Sequence, residues 1–329
     1  MKKVALLLVG LVAAMVSSFA QMMPDSTVQV VAYWEAGERH VFQMEEVKLN
    51  MAEGDTTVVE KSAELLAFEV VSADEEKGYR VKVTSLDSQI SDATKAAISE
   101  KMRERFGGDV YYFETSPYGE FLQVLPIEGL AEQTDALVED VVEAVMQKTG
   151  TGEENRPALQ ALIRQMITPE SMMTSVEGEI SPMFMYHGSR LEMSKEYTFE
   201  DDIPNLIGGG TVRMNGRFWV NEELTDEYSV VLQMYKEADQ EQVKQFVTSL
   251  LGGVVQSFAA EGEDAKASIE ELYKDSKIDI EDFLFEEVHL DTGWPLEWHF
   301  TRKTLIQMQG QQQEQIIRKS VKLLFEEEE

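Results

Sequence analysis

The sequence predicts an α+β protein: curved antiparallel β-sheet packed against helices, with an internal duplication. Three observations lead there. Apolar stretches rich in Val, Tyr and Phe are separated by turn residues, helical apolar stripes fill the middle of the chain, and the second half repeats the order of the first. With 329 residues, 43% hydrophobic and 27% charged, the composition is that of a folded globular protein.

Residues 28–34, 41–49, 57–71 and 78–86 read as a meander of antiparallel strands, with Gly37-Glu38, Glu53-Gly54-Asp55 and the charged run ending at Gly78 as turns. A helix then opens at Asp92, carrying Ala96, Ala97, Met102 and Phe106 at helical spacings, and Gly107-Gly108 stops it. Residues 110–113 and 121–125 flank Ser116-Pro117-Tyr118-Gly119 as a hairpin. Two apolar stripes follow, one from Leu130 through Val138 and Val142 to Met146, the other from Leu159 through Ile163 to Ile167 after a helix-starting Pro157. Each is wide enough to lie on a sheet. Thr168-Pro169 begins a further helix, residues 150–155 form a loop and Gly208-Gly209-Gly210 a turn, and residues 316–325 alternate as a closing strand before four terminal glutamates.

The duplication rests on four landmarks that keep their order. Tyr186-His187-Gly188 answers the stretch from Tyr33 to Gly37, and the strand at Tyr228 answers the strand at Tyr79. Leu251-Gly252-Gly253 answers Phe106-Gly107-Gly108, and Thr292-Gly293-Trp294 answers Tyr118-Gly119-Glu120 after an inserted helix around residues 265–273. The chain accordingly divides into a signal peptide at 1–20, a β-rich repeat with one helix at 21–127, a helical connector at 128–177 and a second β-rich repeat with helices at 178–329.

The signal peptide is read from Lys2 and Lys3, the apolar run over 4–16, and the small-x-small exit Ser18-Phe19-Ala20, which places the mature N-terminus at Gln21. That run is shorter than the roughly 20 apolar residues a membrane-spanning helix needs, and no later stretch reaches that length. With no cysteine there is no acylated thiol, disulfide or thiolate metal site. The expected location is the periplasm or the medium of a Gram-negative bacterium. The formal charge of −32 would repel a phosphate backbone, so nucleic acid is not an expected partner.

The motifs that could carry chemistry fail on local physics, so no catalytic residue, metal ligand or cofactor is assigned. Asp291-Thr292-Gly293 matches the aspartic-protease triplet, but Trp294 follows it and the corresponding place in the first half is Pro117-Tyr118-Gly119; it reads as a hairpin turn. His40, His187, His289 and His299 make no helix-borne zinc pair and read as polar sheet-face residues; pairing about Thr292 puts His299 opposite Phe285, away from His289. Asp275, Asp279, Glu281, Asp282 and Glu286 mimic calcium-loop spacing, yet Lys277 and Ile280 occupy a ligand place and the turn-glycine place, so the run reads as a charged strand edge. There is no nucleophile elbow, phosphate loop or dinucleotide fingerprint.

The binding side offers more. Trp294, Leu296, Trp298 and Phe300 alternate on one strand, and Met183, Met185, Met193, Met214 and Met234 supply pliable apolar side chains in the same half. A sheet lined this way can hold an acyl chain or another apolar small molecule; the competing reading is ordinary core packing against helices over residues 243–258.

Tyr33-Trp34-Glu35-Ala36-Gly37, Gly78-Tyr79-Arg80-Val81-Lys82-Val83 and Thr292-Gly293-Trp294 together resemble uncharacterised exported proteins of Bacteroidota, over most of the chain after residue 20. The resemblance implies structure and no activity. In layout alone the chain is also similar to periplasmic lipoprotein carriers, whose curved antiparallel sheet wraps helices around an apolar cavity; no residue is carried over from them. The expectation is a non-enzymatic exported protein that binds a lipid-like ligand or an envelope protein. The alternatives are a purely structural interaction protein with a filled core and, third, a hydrolase.

Overall fold

The computed structural model describes residues 22–23, 26–52, 55–204, 211–243, 277–308 and 311–325. The expected signal peptide, the glycine turn at 208–210, Gly252, the inserted helix, most of the 243–258 helices, Asp275 and the terminal glutamates lie outside them. The architecture is α+β and mostly antiparallel sheet. In chain order the strands are β1 (Met22–Met23), β2 (Thr27–Gln29), β3 (Arg39–Ala52), β4 (Asp55–Asp74), β5 (Gly78–Ile90), β6 (Val110–Thr115) and β7 (Phe121–Val124). They continue with β8 (Arg190–Glu192), β9 (Glu196–Pro204), β10 (Thr211–Val220), β11 (Ser229–Ala238), β12 (Lys277–His289), β13 (Pro295–Met308) and β14 (Gln311–Leu324). Eleven of them form one sheet in the order β7-β6-β5-β4-β3-β14-β13-β12-β11-β10-β9, while β1, β2 and β8 form a small separate sheet. Neighbours in the large sheet are antiparallel throughout, as a meander of consecutive strands requires. The expected closing strand lies mid-sheet, where β14 joins the two halves through β3 and β13.

The helices are α1 (Ala93–Phe106), α2 (Leu130–Thr149), α3 (Arg156–Met166) and α4 (Pro169–Ile180). Asp92 caps α1 by accepting from the Thr94 and Lys95 amides, and Thr168 caps α4 in a reciprocal box with Ser171. The helix expected after Asp92 is present as α1, but it has no buried residue and Phe106 stays exposed. The stripes of α2 and α3 also differ from expectation. Val138, Val142 and Met146 pack with Ile163 in a cluster of their own, so the two helices cover each other rather than the sheet. It is α4, with the 3-10 turn Ser181–Phe184, that enters the main core, through Met173, Val176, Ile180, Met183 and Phe184.

The largest departure concerns residues 28–34, expected as the first strand of the meander. Only β2 is strand, and it pairs with β1 and β8, outside the large sheet. The rest is a strap running through the interior, with Val28, Val30, Ala32 and Trp34 at 3% exposure or less. Three turns hold it by backbone hydrogen bonds. The Gly188 amide donates to the Val30 carbonyl at 2.8 Å, the Ala32 amide to the Tyr118 carbonyl at 2.9 Å, and the Tyr33 amide to the Thr292 carbonyl at 3.1 Å. Two of these turns work only with glycine. A Cβ on Gly119 would lie 2.6 Å from Ala32 Cβ, and one on Gly293 would collide with the Val31 carbonyl and lie 2.8 Å from Ala32 Cα; both have positive φ, +92° and +73°.

The acidic run is likewise corrected. β12 lies inside the sheet between β11 and β13, and Asp282 and Glu286 point inward, 4% and 0% exposed. A strand with partners on both sides exposes no edge for charges to protect, so period two sends half of the run into the interior. His187 also departs from expectation: it lies in the loop before β8, buried against the strap, and not on a sheet face.

Gly293→Ala is expected to lower stability by about 2 to 5 kcal/mol, from a left-handed backbone and a steric clash together. Gly37→Ala has the same sign of φ but meets nothing within 4 Å, so its cost is about 1 to 2 kcal/mol. Urea unfolding of the two variants measures the difference, and equal losses would show that the turn does not press on the strap.

Candidate functional site

β12 and β13 form a hairpin turning at Asp291-Thr292-Gly293, as the sequence predicts. The Gly293 amide donates to the His289 carbonyl at 2.7 Å, and the His289 amide to the Trp294 carbonyl at 3.0 Å. Asp291 is exposed on this turn. Past it, the register passes from Val288 opposite Pro295 to Glu287 opposite Glu297, which leaves Leu296 as the extra residue of a β-bulge.

The bulge divides the predicted stripe into two pairs. Trp294, 1% exposed, stacks on Trp34 of the strap at 4.3 Å and 21°, and its Nε1 donates to Glu38 Oε1 at 2.8 Å. With Leu296 it lines a cavity of about 570 Å³ that also touches His40, Val41 and Leu323. Trp298 and Phe300 stack on each other at 6.2 Å and 12°, and line a second cavity of about 440 Å³. Its remaining apolar wall is Phe121 of β7, Phe184 and Met185 from the end of the helical segment, Met234 of β11 and Leu284 of β12. Of the expected methionines, Met185 and Met234 face this space, Met183 and Met214 are core, and Met193 packs at the core's margin.

β7 and β11 are eight strand spacings apart in the sheet order, about 38 Å in a flat sheet at about 4.8 Å per strand. Side chains from both line this one cavity.

Along the strands the lining changes character. On β11, β12 and β13 Met234 gives way to Lys236, Leu284 to Asp282 and Phe300 to Arg302, while on β14 the cation comes one row earlier, with Lys319 opposite Phe300. Arg302 holds Asp282 with two bonds of 2.7 Å, from Nε and Nη2, and its guanidinium lies 5.6 Å from the Phe300 ring centroid. The Asp282 carboxylate raises the pKa of Arg302 further. Lys236 pairs with Asp201 at 2.5 Å and Lys319 with Glu46 at 3.0 Å. Of these polar residues the sequence singles out Asp282 alone, as a member of the acidic run, although a signal for its partner is there. The register about Thr292 that sets His299 opposite Phe285 sets Arg302 opposite Asp282 as well.

One row deeper, Glu286 stands between Leu232 and Trp298 with neither carboxylate oxygen hydrogen-bonded. Burial raises its pKa well above the usual carboxylate range. The Tyr186 hydroxyl and Trp298 Nε1 are also buried and unpartnered, and burial with the nearby Glu286 pushes Tyr186 up. His187 goes the other way. Burial lowers its pKa to about 4, so it is neutral, and its Nε2–H donates to the Gly293 carbonyl at 2.7 Å. Among the described residues no group of three or more His, Asp or Glu side chains could hold a metal ion, and no helix is long and apolar enough to cross a membrane.

No family model and no curated protein matches the chain. Among solved structures, the loop L8 deletion mutant of OmpT, an outer membrane protein of Vibrio cholerae, aligns over 88% of this chain and 100% of that one at 6% identity. Its TM-score of 0.18 carries no argument about fold or function.

Because Glu286 holds its proton more tightly folded than unfolded, its contribution to stability is complete below the ordinary carboxylate range and is lost as pH rises through the raised value. Stability measured from about pH 5 to about pH 9 is therefore expected to fall more steeply in the native protein than in Glu286→Gln. Burial also raises Glu64, Asp109 and Glu179, so part of the slope remains in the variant. An unchanged slope would remove Glu286 as a titrating group.

Proposed function

We propose that this is an exported, non-enzymatic protein that holds an apolar ligand between the inner face of its sheet and the end of its helical segment. One observation carries the reading: the 440 Å³ cavity walled by Trp298, Phe300, Phe121, Phe184, Leu284, Met185 and Met234. Its volume falls in the range of roughly 300 to 1,000 Å³ typical of small-molecule sites, and its aromatic and thioether walls suit a chain of variable shape. In this reading the sheet curls, which is how strands eight spacings apart share one lining, and the layout is that of the lipoprotein carriers noted above.

The proposed duplication fits the same picture. The runs β3 to β7 and β9 to β13 follow one another across the sheet in the same sense, with β14 between them. The matched glycines Gly119 and Gly293 both approach Ala32. The periplasm or the medium remains the proposed location, a lipid or other apolar small molecule the proposed partner, and an envelope protein the alternative partner.

Trp298→Ala separates a binding cavity from a filled core. In the binding reading it weakens uptake of a fluorescent fatty-acid probe about tenfold or more and costs less than the roughly 3 to 5 kcal/mol of a large-to-small change in a filled core. Loss of stability in that range, with a native protein that takes up no probe, would leave the structural interaction protein.

A further inference from the structure

We propose that the ligand is a single-chain amphiphile with an anionic head, and that Arg302, flanked by Lys236 and Lys319, forms the positive rim that receives that head. The inference rests on the cavity reading above and adds the polar end of the ligand to it. The chain carries a formal charge of −32, yet three cations converge on this one apolar cavity. Lys236 and Arg302 stand in the row where β11, β12 and β13 change from apolar to charged residues, and Lys319 stands one row earlier on β14, opposite Phe300, so the lining of β11 to β13 is itself amphipathic along the strand direction.

The cations are not ordinary surface charges. Lys236 is 13% exposed at its side chain, Arg302 31% and Lys319 35%, and each is paired with a carboxylate. In partly desolvated surroundings a charge-assisted hydrogen bond is stronger than at the surface. Arg302 spends Nε and Nη2 on Asp282, which leaves Nη1 as a donor beside the Phe300 ring. Lys236 and Lys319 are each ammonium groups with three donors. The lining carboxylates are Asp282, paired with Arg302, and Glu120, and Lys236 and Lys319 are paired with Asp201 and Glu46 outside the lining, so an anionic head shares the ammonium donors with those carboxylates. An acyl chain lying along Phe300 and Trp298 brings a carboxylate or phosphate head to this rim.

The test is displacement of dansylaminoundecanoic acid from the full protein by dodecanoate, dodecyl phosphate and dodecanol, which share a chain and differ in the head. The expected result is displacement by the anionic amphiphiles at concentrations about tenfold lower than dodecanol. The stronger of the two anions distinguishes a fatty-acid head from a phospholipid-type head. Lys236→Gln with Lys319→Gln should shrink that preference. So should Arg302→Gln with Asp282→Asn, a pair that leaves no uncompensated buried charge; circular dichroism establishes that both variants fold. Probe binding with dodecanol as effective as dodecanoate would overturn the anionic head while leaving the cavity reading intact. A preference unchanged in both folded variants would overturn the assignment to these residues. Failure of the native protein to bind the probe would overturn the cavity reading, and this proposal with it.

Discussion

An extended segment buried away from water must find partners for its backbone amides and carbonyls, and past β2 the strap finds them for Val30, Ala32 and Tyr33 in turns from three distant parts of the chain. The hairpin tips of β6–β7 and β12–β13, and the loop before β8, all close on it. Such backbone contacts need near approach, and near approach needs Gly119 and Gly293. The strap also carries Trp34, which stacks on Trp294 and meets Phe184 edge-on, so the loop and helical segment that wall the cavity rest on the same anchor. Tyr79 adds a further tie from β5, donating its hydroxyl to the Ala32 carbonyl at 3.0 Å.

With the strap in place, the inner face of β11 to β14 is left to meet α4 and the 3-10 turn, and that contact is incomplete beside Trp298 and Phe300. The polar groups on the same face oppose stability rather than support it. Asp282 and Arg302 offset much of their desolvation by pairing bidentately, while Glu286 has no such partner. An interior that retains an unpartnered carboxyl, a cation-rimmed cavity and a stacked aromatic wall is built differently from a core selected for packing alone. This is the physical basis for reading it as a binding protein.

Much of the frame was legible because it depends on local rules. Asp92 and Thr168 announce helix starts through their caps, Thr292-Gly293 announces a turn, and the register about Thr292 follows from that turn. The strap departs from the expected strand for a specific reason. Val28, Val30, Ala32 and Trp34 alternate inward with the period of a sheet strand, and nothing local says that the partners are turns instead of a neighbouring strand. Asp282 and Glu286 depart from the expected exposed edge because burial of a charge depends on which strands flank β12, a long-range fact that composition does not carry. The bulge at Leu296 similarly arises from pairing, and it sends Trp294 and Trp298 to different cavities.

The central claim is that the space beside Trp298 holds a lipid-like molecule. Native mass spectrometry of the protein, purified without detergent from its own host and sprayed intact, measures this most directly. The account predicts a species heavier than the bare chain by the mass of one amphiphile, which organic extraction releases and identifies as an anionic lipid. A spectrum of bare chain alone, unchanged after incubation with excess dodecanoate, would contradict it.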